Sequence, residues 1–241
     1  MIRSAVCALL IAAVALVPVR SAAGDPLTVV ELFTSQGCSS CPPADVLVGE
    51  LVEREGVLVL SEHVDYWDYL GWRDPFAIPA TTQRQRDYAR RLGLGYVYTP
   101  QIVIQGATQV TGSNREAVLD RLEEPEPGSS LAVKIDRAGD DGRILITVGG
   151  APAGEDAVVW LVLFDKEHLT RVSRGENRGR EVRNYNVVRS FTRIGSWNGE
   201  ATTMTAIMPE AEGIGDGCAV IVQARNTGRI LGAARLELNG N

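Results

Sequence analysis

Cys38 and Cys41 stand two residues apart in the phrase TSQGCSSCPPAD, and that spacing admits three chemistries. A structural zinc site needs about four ligands, while the chain otherwise offers only His63, His168 and the distant Cys218, apart from Cys7 near its start. A static disulfide across so short a loop restrains the unfolded chain little. Redox chemistry uses the spacing directly: one thiol captures a partner sulfur and the second expels it by closing a ring. The reading favours Cys38 as an exposed nucleophile and Cys41 as its resolver, with the static disulfide and a metal site as alternatives.

His63 and Asp65 follow shortly after in a segment that leaves a buried strand. Such a histidine could tune or protonate the cysteines. It could also join Cys38 and Cys41 in a site for copper(I), whose soft-ligand preference suits an exported dithiol. The plain alternative is a buried structural histidine held by Asp65. Between Tyr66 and Phe76 the chain carries Tyr66, Trp67, Tyr69, Trp72 and Phe76. These rings, Tyr66 and Trp67 foremost, either receive substrate side chains beside the dithiol or pack an inserted loop.

The elements that must position these residues are legible as periodicities. Leu27 to Phe33 is a β-branched and apolar run broken by Thr34-Ser35-Gln36-Gly37, which predicts a buried strand and a turn. Pro42 to Arg54 repeats apolar residues at helical spacing, with two prolines suited to a first turn. Val57 to Ser61 is a second buried strand, so the pattern is a parallel β-α-β unit with a right-handed crossover. A charged helix is predicted over Ala80 to Leu92, a hairpin over Gln101 to Gln105 and Thr108 to Thr111, and a helix over Asn114 to Leu122 with Ser113 and Glu116 as its capping box.

Residues 124–130 (the EPEPGSS stretch) read as a linker, and beyond it helical periodicity gives way to short alternating runs. These predict strands over Leu131 to Ile135, Ile144 to Val148, Ala157 to Phe164, Tyr185 to Phe191, Ala201 to Met208, Cys218 to Ala224 and Leu231 to Leu238. Arg174 to Arg193 holds six arginines against two glutamates, either a solvated loop or a basic hairpin that meets an acidic partner or the dithiol face. Cys218, which starts a strand, reads as a buried inert thiol.

The first 23 residues combine Arg3, an apolar run from Val6 to Val17 and a small-residue exit at Ser21-Ala22-Ala23, the pattern of a secretory signal peptide. The expectation is export to the periplasm or beyond, where disulfides persist, with no stable membrane span after cleavage. The chain carries a formal charge of -6, and loss of Arg3 and Arg20 with the leader makes it -8. So acidic a protein gains little from phosphate contacts, which excludes nucleic acid as an expected partner.

Taken in order, the strand, the C-x-x-C pair, helix, strand, helix, Thr99-Pro100, hairpin and closing helix resemble the thioredoxin fold over about residues 25 to 123. The phrases ELFTSQGCSSCPPAD and HVDYWDYLGWRDPF, with RGENRGREVRNYNVVR in the β-rich half, resemble secreted thioredoxin-like proteins grouped as domain of unknown function 1223. The resemblance implies a cis Pro100 against the dithiol and a Thr99 backbone offered to an extended substrate peptide. It also suggests Glu31 as a buried proton acceptor for Cys41, although Glu31 stands one position off the matching acid. Ser39-Ser40 replaces the pairs that set the direction of electron flow in thioredoxins, and no cation lies within the motif. Pro42 biases Cys41 away from helical geometry, so the helix should start at Pro42 and lend Cys38 less of its dipole. Gly37 replaces a covering tryptophan.

The expected architecture is therefore an α/β thioredoxin-like domain over 24–123 followed by an all-β sandwich-like domain over 131–241. The expected function is thiol-disulfide exchange with protein thiols or disulfides, or with a redox partner protein, and needs no cofactor beyond the dithiol itself. Copper(I) handling through Cys38, Cys41 and His63, and a non-catalytic binding module with a permanent disulfide, are the alternatives.

Overall fold

Continuous apolar character along β1 (Thr28–Thr34) and β2 (Val57–His63) requires cover on both faces, and both strands are buried almost throughout. The structure, a computed structural model, describes residues 26–124, 131–139, 141–151, 155–208 and 215–238. β1 and β2 pair in parallel, Thr28 beside Val57 and Thr34 beside His63, joined by α1 (Pro42–Leu51) as the β-α-β pattern predicts. On its other side β1 pairs antiparallel with β3 (Gln101–Ile104), which turns into β4 (Thr108–Thr111). The helices α2 (Pro79–Arg91) and α3 (Arg115–Glu123) complete this half. Asn114, not Ser113, caps α3, its carboxamide oxygen accepting from the Ala117 N–H at 3.2 Å.

Strand alternation assigns each residue to a layer. Val30 and Leu32 of β1 join Val57 and Val59 of β2 against Ala44, Leu47, Val48 and Leu51 of α1. Each such Val or Leu side chain contributes roughly 1.5–3 kcal/mol on full burial. Val29, Leu58 and Leu60 face the other way.

The β-rich half comprises β5 (Val133–Arg137), β6 (Arg143–Val148), β7 (Ala157–Arg171), β8 (Glu181–Trp197), β9 (Thr202–Ile207), β10 (Gly217–Ala224) and β11 (Ile230–Glu237). β5, β6 and β9 form a small sheet that packs on β7 and β10 through Ile144, Ile146, Leu161, Val220 and neighbouring side chains, a two-layer sandwich. Its larger layer is not separate from the first half. One eight-stranded sheet runs in the order β11-β10-β7-β8-β2-β1-β3-β4, with β8 meeting β2 in parallel at Val187 and Ser61. Behind that seam Val29, Leu58 and Leu60 share a core with Val162, Phe164, Val188 and Ile221.

The difference from the sequence reading has a physical cause. β7 and β8 run 15 and 17 residues, about twice the predicted lengths, and the added portions are largely exposed on one or both faces. Ladder hydrogen bonds hold them where apolar periodicity gives no signal. The whole is a mixed α/β architecture dominated by one large sheet. The segment read as a signal peptide and nearly all of the linker lie outside the described residues. Among those described, no helix is long and apolar enough to cross a membrane.

Candidate functional site around Cys38 and Cys41

α1 starts at Pro42, as expected, with Cys41 as its N-cap. Cys41 nevertheless adopts right-handed helical angles, φ -78° and ψ -36°. The local hydrogen bonds outweigh the bias from Pro42: the Cys41 carbonyl accepts from Ala44 and Asp45 at 2.9 and 3.2 Å, and the Cys41 N–H donates to the Cys38 carbonyl at 3.3 Å. These turns bring the Cα atoms of Cys38 and Cys41 to 5.5 Å, and the two sulfurs are joined in a disulfide.

Thr99 and Pro100 close the other side of the loop through a cis peptide. The Ser40 hydroxyl lies 3.3 Å from the Cys38 sulfur and donates to the Thr99 carbonyl at 3.4 Å, so one side chain links the dithiol to this peptide. The Trp67 indole N–H donates to the Thr99 hydroxyl at 2.7 Å. Tyr66 donates to Gln85 at 3.1 Å, and burial pushes its phenol up to about 12. Trp67 and Tyr66 are thus half-buried and fastened to the scaffold, while Tyr69, 77% exposed, stacks on Trp67 with ring centres 6.4 Å apart.

Cys38 is not the exposed residue that the sequence suggests: it is 2% accessible, while Ser39 and Ser40 beside it are open to solvent. Cover where Gly37 replaces a tryptophan comes from elsewhere, since Trp67 approaches within 3.3 Å of the position a Gly37 Cβ would take. The tip of the long β7–β8 hairpin also closes on the loop. Asn177 donates through its buried carboxamide to the Gln36 and Cys38 carbonyls at 3.0 and 2.8 Å, and the Ser39 N–H donates to Glu176 at 3.2 Å. Of the two accounts of the arginine-rich segment, contact with the dithiol loop is the one observed. The side chains that make it are Asn177 and Glu176, not the arginines.

Gln36 uses all its polar groups. Its N–H donates to Asp74 at 2.7 Å, its carboxamide donates to Asn184 at 3.0 Å and accepts from Trp72 at 3.2 Å, and its carbonyl takes Asn177. Asp74 also meets His63 Nδ1 at 2.7 Å with both side chains fully buried. His63 is therefore a buried histidine held by Asp74, not by Asp65, which instead accepts from the Thr82 hydroxyl at 2.8 Å. Burial alone would depress the His63 imidazole, but the Asp74 and Asp45 charges outweigh it and hold it above its ordinary value. Burial pushes the Asp74 carboxyl up, and His63 with the N–H groups of Gln36 and Phe76 brings it below the ordinary value. Asp45, one helical turn after Cys41, accepts from the Thr34 hydroxyl at 2.9 Å. Burial raises its carboxyl to about 7 against the opposing pull of His63.

A model of the family described as "Protein of unknown function (DUF1223)" matches residues 29–223. This chain belongs to the DUF1223 family. It is similar to a crystal structure of an Agrobacterium tumefaciens protein, with 33% identity, a TM-score of 0.75, and coverage of 89% of this chain and 95% of that one. It is also similar in fold to HBP35 of Porphyromonas gingivalis, at 12% identity and a TM-score of 0.63, covering 89% of this chain and 76% of that one. No curated protein matches the chain.

In this DUF1223 chain the acid expected to serve Cys41 is elsewhere. Glu31 faces away from α1 and is bound to Arg84 and the Tyr88 hydroxyl, together with Glu62 and Gln223. Asp45 and Asp74 are the buried carboxyls on the dithiol side, and Asp45 is the one carried on the helix of Cys41. No three His, Cys, Asp or Glu side chains among the described residues come together to hold a metal ion, and Cys38 and Cys41 are joined here in the disulfide. Cys218 is buried, and burial pushes its thiol up to about 11, consistent with an inert thiol. Sequence reasoning missed Gln36, Asp45, Asp74 and Asn177. Only Asp45 carried a local signal, an acid at helical spacing from Cys41.

Proposed function

We propose that this protein is an exported thiol-disulfide oxidoreductase built on a thioredoxin-like half, in which the Cys38–Cys41 pair exchanges with protein thiols or disulfides. The observation that carries the reading is the disulfide at the start of α1, tied through Ser40 to the cis Thr99–Pro100 peptide. The order β2-β1-β3-β4 with its three helices supports the thioredoxin-like assignment. The leader pattern of residues 1–23 supports export, and the acidic charge argues against nucleic acid.

In the reducing direction, the Cys38 thiolate attacks a partner disulfide, forms a mixed disulfide and releases the partner's other sulfur as a thiolate. Cys41 then loses its proton, attacks the Cys38 sulfur and expels the second partner thiol. The partner gains two electrons and the pair loses two. The opposite flow uses the same steps in reverse. Asp45, with its carboxyl near neutrality on the same helix as Cys41, is the proton acceptor in this scheme. At 2% exposure Cys38 reacts only after its cover shifts, and the Glu176–Asn177 tip is the segment fastened to its backbone.

Trapping tests the reading. Reduced Cys41→Ser should accumulate a mixed disulfide with a disulfide-bearing peptide, detected as an added mass at Cys38, while Cys38→Ser should accumulate none. A pair that resists dithiothreitol in the folded protein, or a double Cys38→Ser, Cys41→Ser variant that retains partner binding unchanged, would leave a permanent structural disulfide in a binding module.

A further inference from the structure

A cavity of about 400 Å³ opens between α2 and the face of β7, β8 and β10, and the dithiol residues take no part in it. Its apolar wall is Trp160 and Phe191, packed edge to face with ring centres 5.2 Å apart. The Arg84 guanidinium lies 4.2 Å above the Phe191 ring, fixed there by Glu31. Around the mouth stand Arg91, Arg193 and Arg225, all exposed. Among the described residues none of these three meets a carboxylate: Arg91 donates to the Arg225 carbonyl at 3.3 Å and Arg193 to the Ser196 hydroxyl at 2.8 Å. The acid in the lining, Asp87, is already engaged by Arg90 and Gln83. In the same wall Trp160 keeps a buried indole N–H without a partner among the described residues.

Three arginines free to meet an anion, placed around two aromatic rings, make a concave site with an apolar floor and a cationic rim. We infer that this cavity binds a small organic anion with a flat apolar body, such as an aromatic or conjugated carboxylate or sulfonate. The rings take the body, and the arginines take the anionic group, which planar guanidinium donors match in pairs. The size lies at the small-molecule end of the range for ligand pockets. This inference is independent of the dithiol chemistry.

The test is a fluorescence titration of the oxidised full chain with 1-anilinonaphthalene-8-sulfonate and, in parallel, with uncharged N-phenyl-1-naphthylamine. The sulfonate should bind saturably at one site and at least tenfold more tightly than the uncharged probe. The Arg193→Ser, Arg225→Ser double variant should weaken the sulfonate at least tenfold and leave the uncharged probe within about twofold, since charge-assisted hydrogen bonds are the part removed. Ala80→Trp, a change at an exposed lining residue, should weaken both by filling the mouth. Near-UV circular dichroism of each variant should overlay the parent. Equal affinity for the two probes, or sulfonate binding unchanged in the folded double variant, overturns the proposal.

Discussion

Two clusters of buried charge lie on opposite faces of the same sheet, and consecutive residues of β2 feed one each. Glu62 points to the α2 side, where Glu31, Glu62, Tyr88 and Gln223 surround Arg84. His63 points to the α1 side, where it meets Asp74 and feels the charge of Asp45. The first cluster is centred on a guanidinium that stays charged at any pH the fold survives. Its spare acid, Glu62, is driven well above its ordinary value by burial and by Glu31, so one cation serves two carboxyls. The second has no arginine at its centre. Its cation is an imidazole, and Asp45 changes charge near neutrality. Equal burial thus gives a fixed brace on one face and a titrating site beside the disulfide on the other.

Arg84→Met gives the largest effect expected, because it strands buried carboxyls without their cation. Loss of one partner of a buried pair costs about 3–5 kcal/mol. Urea unfolding at pH 8 should show that loss. A loss below about 1 kcal/mol at pH 8 would end the contrast between brace and switch.

Asp45→Asn comes next, and its sign is opposite. The folded carboxyl titrates near 7 and the free one near 3.8, so the folded state holds a proton that the unfolded state has released. That contribution is fully present below the unfolded value and is lost as pH rises through the folded one. The neutral amide keeps an acceptor for Thr34 and removes the loss. The variant should therefore gain roughly 2–4 kcal/mol over the parent at pH 8 and flatten the decline in stability between pH 4 and 7. His63 adds a second term of the same slope, since its folded value is raised: stability present below its free value fades as pH climbs past the folded one. An unchanged slope in Asp45→Asn would show that Asp45 does not titrate as assigned.

Asn177→Ala tests how firmly the hairpin tip holds the dithiol side. Two buried carbonyls, those of Gln36 and Cys38, lose their donor, at about 1–3 kcal/mol in total. Dithiothreitol should also reduce the disulfide several-fold faster, read by alkylation of the released thiols. Equal rates in parent and variant would mean that the tip does not gate the sulfur.

How much of this was legible depends on the range of each interaction. The C-x-x-C pair, its strand and helix, and the hairpin after Thr99-Pro100 are written in adjacent residues, and they stand where expected. The site's supports are not. Asn177 reaches Gln36 across 141 positions, and no composition signal links the two. His63 has three acids closely downstream, Asp65, Asp68 and Asp74, and proximity in sequence favours Asp65. The turn through Asp68–Leu70 brings back Asp74 instead, fixed by the N–H groups of Gln36 and Phe76. Glu31 fails as the acid for Cys41 through parity alone, because a one-residue step along a strand moves a side chain to the other face. β7 and β8 extend beyond their apolar runs through largely polar, half-exposed residues whose ladder bonds leave no apolar pattern, and the junction with β2 rests on one buried pair, Val187 and Ser61, that no local periodicity marks.

Glu176→Ala should have the smallest effect on folding and is the sharper probe for that reason. Its carboxylate accepts from the Ser39 N–H at 3.2 Å on the exposed side of the tip, where a hydrogen bond exchanges readily with water. Exposed charged contacts of this kind contribute about 0–1 kcal/mol, so the unfolding midpoint should barely move. Asn177 remains in place in this variant, with both buried carbonyls satisfied. If the tip opens as a unit, faster reduction of Cys38–Cys41 should appear here too, smaller than in Asn177→Ala but without the accompanying loss of stability. If reduction speeds up only in the destabilised variant, then general loosening of the fold, not release of the tip, exposes the sulfur.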